Sequence, residues 1–268
     1  MGHTRLGTLP KTRKWLIVVQ AISGGVSGSG SSVSISEDVG AIAAKTLEAA
    51  EGALAHAVSD EGLRFTFFLL TQVALASREQ SWEKRLAANG INLPTNANAF
   101  DFAIAFQQAI DAHLLTRGGS TDISEIAQQS AGEAVAALTH GKTVTLFGGG
   151  TDALADAMRE LSTKTGFSRL GQKFFGTFMA RTLNFYLSRE IADQVGKSRV
   201  AHVGDIKAFD EALNLHCQES ARIVREFCGE WYSKTEFKEG ISQRNTSGFM
   251  AVALKKLQSE LMRQRALE

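Results

Sequence analysis

Apolar residues recur at intervals of three and four along most of the chain, which is the spacing of helices that bury one face. Strands and helices do not alternate, so the pattern predicts an all-α, multi-helix bundle. We expect nine to ten helices, at about 9–22, 36–58, 61–76, 77–89, 99–116, 123–140, 152–165, 167–195, 205–232 and 247–265.

Residues at the ends of these segments support the helical interpretation. Asp60 is placed to cap the third helix, and Asp205 to cap the ninth. Thr121 and Glu125 have the order of a capping box at the start of the sixth. The chain has only two prolines, so few positions forbid a helix. The helix at 61–76 is apolar on most faces, and we expect it to be central.

The chain divides by composition into an N-terminal arm with its linker, residues 1–34, and a helical body, residues 35–268. A glycine- and serine-rich stretch, 23–34, tethers the arm, and a further division of the body could lie near 141–150. Residues 15–19 are rich in β-branched side chains, so a short strand is the alternative to a helix there. The arm's apolar residues must be buried, either on their own body or on a second copy or partner.

Two observations bear on location. The most apolar stretch, 63–76, has fourteen residues and contains Arg64, so no membrane span is expected. Basic residues precede the apolar run at 15–22, as in a secretory signal, but the run is short and contains Gln20. Cys217 and Cys228 lie about three turns apart in one predicted helix, which predicts buried, reduced thiols and a cytoplasmic protein.

The chemistry-bearing patterns are incomplete. Gly141-Lys142-Thr143 lacks the earlier glycine of a phosphate-binding loop, because position 136 is Ala136. His216 and Glu219 could face a metal from one helix, but no matching pair occurs elsewhere, and a histidine at the edge of a core stripe is favoured. The sequence therefore favours a non-catalytic protein with no cofactor and no metal.

Charge is unevenly distributed, although the net charge is only +1. Residues 1–30 carry four bases and no acid, and residues 163–200 carry seven bases and two acids. Three of these seven, Arg169, Lys173 and Arg181, line one face of the predicted helix. They form either a solvated face or a surface for an anionic partner.

We therefore predict an assembly or interaction protein, a subunit of a larger complex or a homo-oligomer. Trp231 and Tyr232, two aromatics at a helix end, could anchor an interface or pack the last helix. The predicted partner-binding residues are Arg5, Lys11, Arg13, Lys14, Trp15, Arg169, Lys173, Arg181, Trp231 and Tyr232. The alternatives are a nucleic-acid-associated protein that uses the basic helix at 164–199, and an enzyme with an unrecognised helical site.

Overall fold

A computed structural model describes residues 12–24, 34–139, 150–197 and 199–264. These ranges contain twelve helices and no strand. The helices are α1 (Arg13–Gly24), α2 (Val39–Ala49), α3 (Glu51–Ala57), α4 (Glu61–Ala76), α5 (Trp82–Ala88), α6 (Ala99–Leu115), α7 (Asp122–Thr139), α8 (Gly150–Leu161), α9 (Lys164–Ala192), α10 (Val203–Ser220), α11 (Arg222–Glu239) and α12 (Gln243–Gln264). The all-α class is confirmed, and the expected count of nine to ten is too low.

The two additional helices arise from breaks inside predicted helices. One break falls at Ala50, between α2 and α3, and the other at Ala221, between α10 and α11. Both residues have ψ close to zero, 6° at Ala50 and −3° at Ala221. The apolar period continues across each alanine, so the sequence pattern carries no sign of the break. The break at Ala221 separates two helices that both pack against α9.

Helix α9 is the centre of the bundle. Its 29 residues span about 43 Å, and α7, α8, α10 and α11 pack along it. Phe67 of α4 lies against α9 within an aromatic cluster, with ring centroids 5.3 Å from Phe174 and 5.1 Å from Phe175. Helix α4 is buried over most of its length, as its sequence predicts. Within the described ranges, no helix has both the length and the apolar character of a bilayer span.

Glycines allow α9 and α11 to approach closely. A Cβ atom added at Gly171 would lie 2.5 Å from Sγ of Cys228. A Cβ atom added at Gly229 would meet the carbonyl oxygen of Lys164 and the hydroxyl of Ser168. Both cysteines are free and buried, as predicted. Because the two backbones are already in near contact, neither glycine can be enlarged without moving a helix.

The arm forms a helix rather than the alternative strand, and it packs on its own chain, mainly against α2. Its inner face buries Trp15, Val18, Ala21 and Ile22. The guanidinium of Arg199 donates to the carbonyl oxygen of Ala21 and to the carboxylate of Asp38. Arg5, Lys11, most of the glycine- and serine-rich linker and all but the last residue of the proposed division near 141–150 lie outside the described residues.

Candidate binding cleft between helices α6 and α7

Helix α6 is apolar on two faces. One face packs into the core through Phe102, Phe106 and Ile110, each no more than 5% exposed. The other presents Phe100, which is 68% exposed, and Leu115, which is 62% exposed. A helix at the edge of a bundle normally carries polar residues on its outer face. The outer face is therefore apolar at both ends of α6, with Gln107, Gln108 and Asp111 exposed between them, and its apolar ends mark a surface for a ligand or partner.

The two ends of α6 are fixed by defined interactions. At its start, the side chain of Asn98 accepts from the backbone N–H of Asp101 at 3.1 Å, and Asp101 accepts from the backbone N–H of Asn98 at 3.0 Å. Near its end, the ring of His113 stacks on Phe65 of α4, with centroids 3.7 Å apart. Nε2 of His113 lies 2.9 Å from a carboxylate oxygen of Glu61. These contacts join the C-terminal part of α6 to α4.

The N-terminal ends of α7 and α4 lie side by side, because their capping residues are hydrogen-bonded to each other. The side chain of Asp60 accepts from the backbone N–H of Leu63 at 2.8 Å, as predicted for a cap. The hydroxyl of Thr121 donates to the same carboxylate at 2.7 Å. Thr121 also exchanges hydrogen bonds with Ser124, which takes the position in the cap that the sequence assigned to Glu125.

A cleft of about 690 Å³ lies between α6 and α7, with Met158 of α8 at one wall. This volume is within the range of pockets that hold a drug-sized molecule or a few side chains. Its lining is mainly apolar, with some glutamine and hydroxyl side chains, and its larger apolar members are Phe102, Phe106, Leu114, Leu115, Val135 and Met158. Gly132 also lines the cleft, and a Cβ atom added there would meet nothing within 4 Å. The cleft is therefore an open apolar site.

The charged residues that line the cleft, among those the structure describes, have one sign. They are Asp111 and Glu125, and the amide of Gln128 on α7 donates to Asp111 on α6 at 3.1 Å. Neither α6 nor α7 contains a lysine or an arginine. A ligand that places a cation at this rim gains Coulomb energy, whereas an anion is repelled.

The predicted basic stripe on α9 lies beside α7, and much of it is already paired. Nζ of Lys173 lies 3.3 Å from the carboxylate of Glu133, and the guanidinium of Arg181 donates to the same carboxylate at 3.1 Å. Arg181 also donates to Gln129 at 2.9 Å. The remaining member, Arg169, is exposed. The stripe thus joins α9 to α7, which reduces its availability for an anionic partner.

The aromatics at the end of the ninth predicted helix pack the interior. Tyr232 is fully buried, with its ring stacked 4.0 Å from that of Phe167, so it offers no surface to a partner. Trp231 is partly buried and stacks on Phe249 of α12 with centroids 4.2 Å apart. The alternative in which these residues pack the last helix describes Trp231, whereas Tyr232 packs against α9.

The basic residues of the arm lie on the outer side of α1. Arg13 is exposed, and Lys14 is 3.5 Å from Glu51 at the surface. Trp15, by contrast, is only 8% exposed and belongs to the core. Of the predicted site residues of the arm, Arg13 and Lys14 therefore face outward, and Trp15 is buried in the core.

His216 and Glu219 have no third candidate metal ligand beside them among the described residues. Glu219 accepts from Arg222 at 2.8 Å and is exposed. The described part of the chain contains no group of three or more His, Cys, Asp or Glu side chains that could hold a metal ion.

Sequence reasoning did not find the cleft. The apolar period predicts α6 and α7 but does not show that they are splayed or that Phe100 and Leu115 face outward. The available signal was the absence of basic residues from both helices. Comparisons with protein-family models, with curated proteins and with solved structures found no match to this chain.

Proposed function

We propose that this protein is a non-catalytic interaction protein that holds a basic amphipathic helix of a protein partner in the α6–α7 cleft. One observation carries the proposal, namely the exposed apolar side chains at both ends of α6 beside an open, mainly apolar cleft. Helices that bind in grooves insert apolar side chains at intervals of three and four residues. Leu115 lines the cleft, and the exposed side chain of Phe100 extends the apolar surface beyond it.

The chemistry of the partner follows from the rim. Asp111 and Glu125 are the charged groups of the cleft, so a helix with lysine or arginine beside its apolar stripe is complementary, and an acidic helix is not. Such binding makes the chain a subunit of a complex or of a homo-oligomer. A cytoplasmic location belongs to the same proposal, and the two free, buried thiols support it.

The nucleic-acid alternative has less support. Of the seven bases at 163–200, four form intramolecular ion pairs: Lys164 with Glu230, Lys173 and Arg181 with Glu133, and Arg199 with Asp38. A nucleic acid would have to compete with these carboxylates for the same cations.

The test uses two synthetic amphipathic helices, one of leucine and lysine and one of leucine and glutamate, with binding followed by fluorescence anisotropy. We expect only the leucine–lysine helix to bind. Gly132→Leu fills the cleft and should weaken that binding at least about tenfold, or about 1.4 kcal/mol. Because leucine is a better helix former than glycine, the variant should be as stable as the original chain or up to about 1 kcal/mol more stable.

The matched control is Gly248→Leu, which changes another helical glycine where an added Cβ atom would meet nothing within 4 Å. It lies in α12 and does not line the cleft. The control should bind the leucine–lysine helix unchanged. Failure of that helix to bind, or an equal loss in both glycine variants, would contradict the proposed function.

A further inference from the structure

The outer face of α1 has the chemistry that the α6–α7 cleft requires. Arg13, Leu16, Ile17 and Gln20 follow the spacing i, i+3, i+4, i+7, so they form one stripe along the helix. All four are exposed, Leu16 by 53% and Ile17 by 41%. These four residues are called the α1 outer stripe below.

The α1 outer stripe remains exposed while the helix is anchored. The opposite face of α1 is fixed in the core by Val18 and Ile22, both with no exposed area, and by the hydrogen bond from Arg199. Presenting the outer stripe to another molecule therefore requires no unfolding and no release of the arm, so the ordering cost of binding is small.

The charges of the two surfaces are opposite. Helix α1 contains Arg13 and Lys14 and no acidic residue. Helices α6 and α7 contain carboxylates and no lysine or arginine. Phe237 of α11 is another exposed apolar side chain, with 91% of its surface accessible. It lies between Glu236 and Lys238, whose opposite charges give it no complementarity to the acidic rim of the cleft.

From this complementarity we propose that the occupant of the cleft is the α1 outer stripe of a second copy of this chain. Leu16 and Ile17 enter the apolar cleft, and Arg13 meets the carboxylates of Asp111 and Glu125 at its rim. This inference rests on the proposed function, because it names the partner of the same cleft.

The contact is heterologous, since one copy contributes α1 and the other contributes the cleft. A heterologous contact leaves one free stripe and one free cleft at the ends, so association continues beyond a dimer unless it closes into a ring. The mass of the full chain should therefore rise with concentration, as measured by sedimentation or light scattering. It should fall in high salt, because the ion pairs at the rim are screened.

Complementation between two variants tests the arrangement. Leu16→Glu destroys the stripe and leaves the cleft intact, whereas Gly132→Leu fills the cleft and leaves the stripe intact. Each variant alone should be monomeric, with association weakened at least tenfold. Their mixture retains one functional stripe and one functional cleft, so it should form a one-to-one dimer and nothing larger. Phe237→Glu, the matched control, should associate like the original chain.

A charge exchange gives a second measurement. Arg13→Glu and Asp111→Arg should each weaken association, and a mixture of the two variants should restore it in part. A full chain that stays monomeric up to high micromolar concentration would overturn the inference, as would dissociation by Phe237→Glu instead of Leu16→Glu. If the chain is monomeric and the leucine–lysine helix still binds in a manner sensitive to Gly132→Leu, the proposed function stands with a foreign partner. If neither occurs, both fail.

Discussion

The guanidinium of Arg199 is paired with the carboxylate of Asp38, 161 positions earlier in the chain. The same side chain holds the carbonyl oxygen of Ala21, near the C-terminal end of α1. A cation is well placed there, because the end of a helix carries a partial negative charge. Arg199 therefore joins the arm, the start of α2 and the segment after α9 at one buried point.

Removing this cation should loosen the arm. The side chain of Arg199 is only 5% exposed, whereas that of Asp38 is 31% exposed and can recover water when its partner is lost. We expect Arg199→Met to cost about 2–3 kcal/mol of the free energy of unfolding, measured in urea. Hydrogen exchange should quicken in α1 before it does in α9.

Arg159→Met is the control for this change. Arg159 pairs with Asp156 at the surface within one helix, 2.5 Å apart, and such pairs contribute roughly 0–1 kcal/mol. Equal effects of the two substitutions would show that the buried cation does not anchor the arm.

The close contact of α9 with α11 predicts different outcomes for glycines that are equally helical. Gly171→Ala and Gly229→Ala each place a methyl group against atoms of the facing helix, so we expect a loss of about 1–3 kcal/mol in stability. Gly248→Ala meets nothing within 4 Å and should stabilise the chain by about 0.5–1 kcal/mol. Thermal unfolding followed by circular dichroism distinguishes the two directions. A gain in stability at Gly171 would contradict the packing described.

The only two tyrosines of the chain form a matched pair. The hydroxyl of Tyr186 is buried and has no hydrogen-bond partner among the described residues. That of Tyr232 accepts from Arg78 at 3.2 Å. Tyr186→Phe should leave stability unchanged or raise it by up to about 1 kcal/mol, whereas Tyr232→Phe should lower it by about 1–2 kcal/mol. Chemical denaturation of both variants provides the measurement.

Alkaline pH should lower the stability of the folded chain through Tyr186. Burial, with the nearby charge of Asp122, raises the pKa of Tyr186 to about 12. The folded state therefore favours the protonated phenol, and this contribution is complete below the ordinary pKa of 10. It is lost as the pH rises from 10 to about 12, because the unfolded chain then releases the proton first. The free energy of unfolding of the Tyr186→Phe variant should fall less steeply over that interval than that of the original chain. Equal slopes in the two proteins would contradict this assignment.

The two cysteines should be unreactive in the folded chain. Burial raises the pKa of the thiols of Cys217 and Cys228, so little thiolate is present and reagents have no access to the sulfur atoms. At pH 8, a thiol-specific reagent should label neither in the native protein and both in denaturant. Rapid labelling of Cys228 alone would show that the contact between α9 and α11 opens readily.

Sequence patterns over a few residues predicted the helices well, but they did not predict which distant residues contact one another. The cap at Asp60 could be predicted because it depends on residues three positions apart. The breaks at Ala50 and Ala221 could not, since alanine favours a helix and the apolar stripes continue. The spacing of Lys173 and Arg181 showed that they share a face, but their carboxylate partner, Glu133, is 40 positions from Lys173 and 48 positions from Arg181.

The cleft was beyond sequence reasoning for a related reason. The pattern of α6 contains enough apolar residues for two faces, and only the positions of α4 and α7 decide which face is covered. Phe102 is buried and Phe100 exposed, although both are phenylalanines in the same turn of the helix.

The hydrogen bond between Thr121 and Asp60 also holds one wall of the cleft in place. Helix α7 is held to α4 by this bond and by the tight contact of Gly62 with Ser124, and it is held to α9 through Glu133. Helix α7 is therefore a fixed wall of the cleft. Helix α6 is secured to α4 near its C-terminal end, where His113 stacks on Phe65, and the buried side chain of Phe102 anchors it near its start. Both walls of the cleft are therefore held to the core, so the fold sets the width of the cleft and an occupant must match it.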